Sequence, residues 1–599
     1  MFPAPVPALP TFDRLGFTPP PPDQIDARKL GELWLALFSK HVAERSTPGI
    51  LDLFLDDGWW RDLFALTWDV RTFHGVERLR EFLLDRLEIS NLEIGDIIEA
   101  QWQPLFPDIA WIQLSFAFTT EVGLGTATAR LVLTKEGCKA TTLCTALEGL
   151  KGHPELISAL RESEPDHGRW GEKRRREIMC ADGDPEVLIV GGGQAGLSVA
   201  ARLKALGVSH LIVEKNARIG DNWKNRYDTL CLHEPIWYDH LPYMPYPSTF
   251  PMYLHAHKLA DWLEGYATVM DLNCWTSAEV TRVRRDETLS KWIVTVRRSG
   301  DSERTLRVDH VVFATAFPWK EVHFAGEEKF QGELLHSTSY RSAARFIGKK
   351  VVIVGACTSA HDIASDCASL GIDVTMYQRS STYVMSQAVS VPTILKQLYW
   401  EGGPPTEYAD RVTFENSMPV LLTKCFSQRL FPSSPRALLE GLTQVGYKLN
   451  PGPDGAGFAF HALNTAGGYY VDVGACQKII DGKIKVKNGS SISRITEHSV
   501  HFADGSKLEA DIIILATGFD DARGPLRQLL GDELGGNTPP IWGLNSEGEP
   551  RTVWREIGLP NAWCALGNLS GCRFWSRYLA LQIKAKQEKL YGTRYAAET

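Results

Sequence analysis

None of the eleven cysteines forms a CxxC or CxxxxC pair, which excludes a redox-active cysteine couple and a zinc cluster of familiar spacing. Scattered and odd in number, they also argue against a disulfide scaffold and for a reducing, intracellular setting. Basic residues show no excess. The 64 lysines and arginines stand against 72 acidic residues, a net charge of −8, so nucleic acid is not an expected partner. No run approaches the ~18 apolar residues of a membrane span, so no integral membrane segment is expected. Residues 1–22 hold eight prolines and lack a basic start followed by an apolar run, so no secretory leader is read and the expected location is cytoplasmic. With 44% apolar and 23% charged residues, the composition is that of a globular protein. The length of 599 residues suggests three or four domains.

The organisation read from the pattern is a proline-rich arm over 1–24, an α+β domain over 25–165 and a linker over 166–185. A first nucleotide-binding part follows over 186–334, a second over 335–490, and a return to the first over 491–599. In the α+β part a helix is expected from Asp26 to Arg45, with Leu30, Leu33, Trp34, Leu37 and Phe38 at helical spacing. Strands are expected at Phe64–Phe73, Ala110–Thr119, Thr126–Thr134 and Lys139–Glu148. The charged stretch Gly171–Arg176 and the turn at Asp182–Pro185 read as linker.

From Glu186 the pattern becomes strand, glycine turn and helix, and it occurs twice. The strand Glu186–Val190 runs into Gly191-Gly-Gly193-Gln-Ala-Gly196 and a helix over Leu197–Leu206. Gly191 allows the tight turn, Gly193 lets backbone amides approach a pyrophosphate, and Gly196 lets helix and strand pack closely. The next strand, Leu211–Val213, ends at Glu214, whose carboxylate suits ribose hydroxyls. The second turn, Gly355-Ala-Cys357-Thr-Ser359-Ala360, lacks the middle glycine. Its following strand, Asp373–Gln378, ends at Arg379 with no acid. An arginine pairs with a 2′-phosphate, which favours NADP(H), or it simply ends a solvated loop. Each copy later contains a hairpin and a short apolar strand: Lys291–Val296, a turn at Gly300-Asp301 and Val311–Ala316, then Ser499–Phe502, a turn at Ala503–Ser506 and Ile512–Gly518. The fold class expected is α/β, with two Rossmann-type dinucleotide-binding domains, one inserted in the other.

Two dinucleotides without a cysteine couple leave oxygen activation or plain electron transfer. Phe330-Gln-Gly332-Glu-Leu-Leu-His336-Ser-Thr-Ser-Tyr340 resembles the FxGxxxHxxx(F/Y) signature of class B flavin-containing monooxygenases. Gly220-Asp-Asn-Trp223 is similar to their GGxW flavin loop. Arg226-Tyr227 with Leu232-His233 resembles the stretch beneath the flavin, and Ala516-Thr517-Gly518-Phe519 resembles the second ATG strand. Tyr243–Tyr266 and Tyr470–Lys487 look closest to the YUCCA-like branch and its fungal relatives. The resemblance implies FAD and NADPH as cofactors, with O2 and a small molecule as substrates. It further implies transfer of one oxygen through a C4a-(hydro)peroxyflavin, giving N- or S-oxygenation or oxidative decarboxylation of a 2-oxo acid. An NADPH oxidase releasing hydrogen peroxide, or a non-catalytic flavin-binding scaffold, stays open. No metal site and no catalytic side chain are assigned, and His336 is expected to position the linker between domains. Tyr340-Arg341 replaces the Trp-Pro of Baeyer–Villiger enzymes, which disfavours ester formation from ketones.

Residues 25–165 resemble a SnoaL-like cone of the nuclear-transport-factor superfamily, read as an oligomerisation or substrate-access module, with a homodimer possible. Asp62, Asp69 and His74 are either an acid–base set or satisfied structural groups. Trp237, Tyr238, Trp542, Trp554 and Trp575 are either a pocket for a flat substrate or plain core. The amides of Asn568–Arg573 either approach the flavin or open an ordinary helix.

Overall fold

Asp26 accepts a hydrogen bond from the Lys29 amide at 2.9 Å and so starts the helix Ala27–Ala43. The computed structural model describes residues 8–298, 300, 302–415 and 435–596. Asp301 of the expected turn and Cys425 lie outside the described residues. The helix buries Gly31, Trp34, Leu35, Phe38 and Val42, whereas Leu33 and Leu37 of the expected stripe are 58% and 48% exposed. Gly31 faces the sheet beneath, where a Cβ would lie 3.0 Å from a Leu114 methyl. The helix lies on a six-stranded sheet of order Val70–His74, Phe54–Leu63, Gly137–Leu150, Gly123–Thr134, Ile109–Thr119 and Glu93–Phe106. All pairs are antiparallel except Phe54–Leu63 with Gly137–Leu150.

Two expectations for this part change. Phe64–Phe73 is not one strand. Asp62 accepts from the amides of Leu66 and Thr67 and from the Thr67 hydroxyl, which closes a turn before Val70. Phe64 and Trp68 take positive φ there, at 62° and 51°. The stretch read as a linker contains a helix, Trp170–Met179. It is docked by Trp275, whose indole donates to the Ile178 carbonyl at 2.6 Å, and by buried Arg174, which donates to Asn273 at 2.9 Å.

The two nucleotide-binding units repeat one plan. The first sheet is parallel, in the order Ala562–Cys564, His310–Phe313, Val187–Val190, His210–Val213, Cys274–Trp275. The second is parallel too, in the order Glu333–His336, Ile512–Leu515, Lys350–Val354, Asp373–Gln378, Lys485–Asn488. Each carries a three-stranded antiparallel sheet, at 278–308 and at 492–509. The second unit is thus carried inside the first. The return expected at residue 491 falls later, because Ile512–Leu515 pairs with both Glu333–His336 and Lys350–Val354. A central strand of three consecutive isoleucines and a leucine is covered on both faces, so it cannot serve as the edge where a domain changes.

Candidate functional site

Gly191 follows the strand Val187–Val190 with φ +108°, and a Cβ on it would meet the Ala314 carbonyl oxygen at 2.7 Å. At Gly196 a Cβ would lie 2.0 Å from the Gly191 oxygen, so helix and turn touch through backbone alone. Gly193 differs. It caps the helix Gln194–Ala205 without a side chain, and the nearest atom to a Cβ there is Asn222 Nδ2 at 3.6 Å. The leading amides of that helix therefore face open space, with the positive end of the helix dipole behind them. Buried Glu214 is aimed by its own turn: Oε2 accepts from the Gly192 amide at 2.7 Å and Oε1 from Asn216 at 2.8 Å. Each oxygen keeps acceptor capacity for a ribose hydroxyl. Trp223 Nε1 donates to Gln194 at 3.4 Å, and Gln194 Nε2 donates to the Gly567 carbonyl at 3.2 Å. An open cradle, an uncapped helix and a fixed acid together fit a dinucleotide.

The second turn reproduces the first in its backbone. Gly355 has φ +137°, and its Cβ would lie 2.3 Å from the Ala516 oxygen. The helix Thr358–Ser369 starts at Cys357, again without a side-chain cap. Arg379 is exposed just beyond the strand Asp373–Gln378. Ser359 lies on the first turn of this helix, beside the Tyr227 hydroxyl. Tyr227 also donates to Asp362 at 2.7 Å, and the Arg226 Nε is buried without a hydrogen-bond partner. Arg226 and Tyr227 thus lie against the helix of the second unit. Burial pushes the Asp362 carboxyl up to about 6, against the pull of Tyr227 and Arg226.

The strand exits of the two units run side by side. Thr517 donates to the Lys320 carbonyl at 3.2 Å, the Lys320 amide donates to Gly518 at 3.1 Å, and Trp319 bridges Phe519. His336 lies over Trp319 with ring centroids 4.9 Å apart, which joins the signature histidine to the connector. Its pKa is lowered by burial.

The stretch after His233 holds groups that sequence reasoning missed. Burial takes the His233 imidazole down to about 4. Burial also raises the Glu234 and Asp239 carboxyls, and for Asp239 the neighbouring Glu234 adds to the rise while Arg573 opposes it. Arg573 is clamped by Asp410 at 2.6 and 2.8 Å and donates to the carbonyls of Tyr238 and His240. Charged residues inside otherwise apolar runs were the available signal. Asn568 Oδ1 accepts from the Gly571 amide at 2.9 Å and caps the helix Leu569–Gln587. Trp237 and Tyr238 pack on Trp400 and Tyr399, while Trp542, Trp554 and Trp575 share a cavity.

Asp62, Asp69 and His74 form no acid–base set. Asp62 is saturated by its turn and by Thr145 at 2.6 Å. Asp69 is held between Arg555 at 2.8 Å and Arg594 at 2.9 Å, and His74 stacks on Trp59 at 3.8 Å. Further ion pairs, Arg61–Glu549 at 2.6 Å and Arg71–Glu547 at 2.7 Å, join the N-terminal sheet to the 547–555 loop.

Two Rossmann-like units, one carried inside the other, define an α/β fold with two glycine turns of the kind that cradles a dinucleotide. Residues 188–401 match the family described as pyridine nucleotide-disulphide oxidoreductase. The chain is 33% identical over 341 residues to the probable indole-3-pyruvate monooxygenase YUCCA3 of Arabidopsis thaliana, covering 55% of this chain and 72% of that protein. It is 29% identical over 355 residues to the indole-3-pyruvate monooxygenase YUCCA1 of Oryza sativa subsp. japonica, covering 58% and 79%. A solved flavin-containing monooxygenase from Stenotrophomonas maltophilia is 19% identical, with 68% of this chain and 99% of that one covered and a TM-score of 0.47. The chain belongs to the YUCCA-like, class B flavin-containing monooxygenase family and is a flavin-dependent monooxygenase. Membership implies use of flavin and NADP(H). No helix among the described residues is long and apolar enough to cross a membrane.

Proposed function

We propose that the chain is an NADPH-dependent FAD monooxygenase that places one oxygen atom from O2 on a small organic molecule. The observation that carries this reading is the repeated uncapped glycine turn, with Glu214 after the first and Arg379 after the second. Gly191, Gly193, Gly196, Glu214 and Trp223 would hold FAD. Gly355, Ser359, Arg379 and Ala516–Gly518 would hold NADPH, and Arg226 and His233 would line the cleft between. When bound, the flavin accepts hydride from the nicotinamide and supplies the chemistry with O2. The protein orients both cofactors through backbone amides and keeps water out with the buried stretch around Asp239. Candidate reactions are oxygenation at a soft nitrogen or sulfur, or oxidative decarboxylation of a 2-oxo acid, the compound class in the relatives' names. We read residues 25–165 as a SnoaL-like access module, a role favoured by the ion pairs that fix it to the 547–555 loop.

The test is to mix flavin-loaded protein with NADPH or NADH in air-saturated buffer and follow flavin absorbance and hydrogen peroxide. Bleaching with NADPH in preference to NADH, and peroxide that falls when a substrate is present, would support the reading. Peroxide equal to NADPH consumed whatever substrate is added would favour an oxidase, and no bleaching would favour a scaffold.

A further inference from the structure

The strand Asp373–Gln378 ends in a fully buried glutamine whose amide grips a residue 70 positions away. Gln378 Nε2 donates to the Lys448 carbonyl and Gln378 Oε1 accepts from the Lys448 amide, both at 2.8 Å. The Thr382 amide donates to the same carbonyl at 3.0 Å, and the Asn450 amide donates to the Thr382 carbonyl at 2.9 Å. Asn488, paired with Gln378 on the next strand, donates to the Gly446 carbonyl at 2.7 Å. Residues 446–450 are thus tied across the carboxyl ends of Asp373–Gln378 and Lys485–Asn488, the end of a doubly wound sheet where nucleotides bind.

The same loop braces the second glycine turn. His361 Nδ1 donates to the Cys357 carbonyl at 3.0 Å, which leaves Nε2 to accept the Tyr447 hydroxyl at 3.2 Å. The Thr382 hydroxyl donates to the Ala356 carbonyl at 3.0 Å. A trans peptide points its N–H opposite to its C=O, so the amides of Cys357 and Thr358 are turned away from this network.

Two exposed cations stand on this rim: Arg379, directly after Gln378, and the clamped Lys448 itself. Among the described residues neither has a carboxylate within 4.0 Å, whereas Lys487 is paired with Asp504 at 2.8 Å and Lys485 with Asp373 at 2.7 Å. The Lys448 amine lies over the end of Lys485–Asn488, 4.0 Å from where a Cβ on Gly489 would sit. Because a buried amide already fixes its backbone, Lys448 loses only side-chain freedom on meeting an anion.

We propose that Lys448 is the second cation that reads the 2′-phosphate of NADPH, with Arg379 as the first. A phosphate monoester carries nearly two negative charges at neutral pH, so one guanidinium leaves part of that charge unanswered. An ammonium on a flexible stem answers it as a point charge and needs no second planar fork. NADH has a ribose hydroxyl in that place and gains little from either cation. The assignment rests on the NADPH reading of the second unit.

The test titrates oxidised, flavin-loaded full-length protein by calorimetry with NADP⁺, NAD⁺, 2′,5′-ADP, 5′-AMP and inorganic phosphate. Native protein should bind NADP⁺ and 2′,5′-ADP at least about tenfold more tightly than NAD⁺ and 5′-AMP. Lys448→Ala should weaken the first pair about tenfold and leave the second pair unchanged, and Lys448→Arg should restore most of the loss. The fall of NADP⁺ affinity with salt should be shallower in Lys448→Ala. Because Lys448 is exposed, these variants should keep their fold. Native-like NADP⁺ binding in Lys448→Ala, while Arg379→Ala loses the preference, would overturn the proposal and leave the NADPH reading standing. Equal weakening of NAD⁺ and NADP⁺ by Lys448→Ala, or inorganic phosphate bound as tightly as 2′,5′-ADP, would overturn it too. A native protein that binds NAD⁺ as tightly as NADP⁺ would overturn both.

Discussion

Tyr227 donates its hydroxyl hydrogen to Asp362 at 2.7 Å across the boundary between the two nucleotide-binding units. Replacing Tyr227 with Phe leaves a buried carboxyl that has lost its donor, at a cost of about 1–3 kcal/mol. Thermal unfolding of the variant should show that loss, and Asp362→Asn in the same background should recover part of it. An unchanged midpoint in Tyr227→Phe would remove this contact from the forces that align the units.

The glycines of the first turn separate folding from cofactor binding. Gly193→Val points into open space and should give folded, colourless protein, because its side chain occupies the cradle. Gly196→Ala brings a Cβ within 2.0 Å of the Gly191 oxygen and should disturb the turn itself. Flavin absorbance against circular dichroism reads the difference, and a fully yellow Gly193→Val protein would refute the assignment of this turn to FAD.

Arg379→Ala should raise the KM for NADPH by about tenfold or more while leaving NADH little changed, the loss of one charge-assisted contact to a 2′-phosphate. Because Arg379 is exposed, the fold should not suffer. Equal effects on both nucleotides would refute its pairing with that phosphate.

Buried carboxyls and buried imidazoles pull the pH dependence of stability in opposite directions. Burial pushes Glu415 up to about 8, so below that pH the folded state keeps a proton that the unfolded chain has released. Stability therefore rises as pH falls from about 8 toward 6.5. Burial acts the opposite way on His210, His240 and His361, taken down to about 4, and on His310, taken to about 3. Below about 6.5 the unfolded chain binds protons that these rings, and His233 with them, refuse, which costs stability. Asp62 and Asp362, both raised to about 6 by burial, and Glu234 and Asp239, also raised by burial, act with Glu415 against that loss. Unfolding midpoints measured between about pH 6.5 and 8 should show the rise on acidification, and Glu415→Gln should reduce it; an unchanged slope in the variant would contradict the role given to Glu415.

Arg61 and Glu549 are 2% and 0% exposed and share two hydrogen bonds, at 2.7 and 2.6 Å. Arg61→Ala should cost about 3–5 kcal/mol, because it strands a buried carboxylate, and should open the 547–555 loop to proteolysis. Replacing both partners with apolar residues should recover most of the loss. A destabilisation in the double variant as large as in the single one would contradict this account.

The sequence announced the two glycine turns because their chemistry is local: Gly191, Gly196 and Gly355 face backbone carbonyls that no side chain could approach. The duplicated order of strands was legible for the same reason. What escaped notice depends on contacts between distant segments. The helix Trp170–Met179 reads as solvated charge until Trp275 and Asn273 are seen beneath it. Asp69 reads either as part of an acid–base set or as a satisfied structural group until Arg555 and Arg594 arrive from a distant segment. Ile512–Leu515 carries no mark of which sheet it joins, and only its neighbours assign it to the second.

The sheet of residues 54–150 is made long before the segment that completes its contacts. Arg71 donates to the Tyr595 carbonyl at 2.6 Å over a separation of 524 positions, and Arg86 donates to Thr593 at 3.0 Å. At ribosomal rates of about 5–20 residues per second, these cations wait tens of seconds for their acceptors. Until residues 547–595 have been made, Arg61, Arg71 and Asp69 lack these partners. A nonsense mutation anywhere before residue 590 would therefore leave Arg71 and Arg86 without these acceptors.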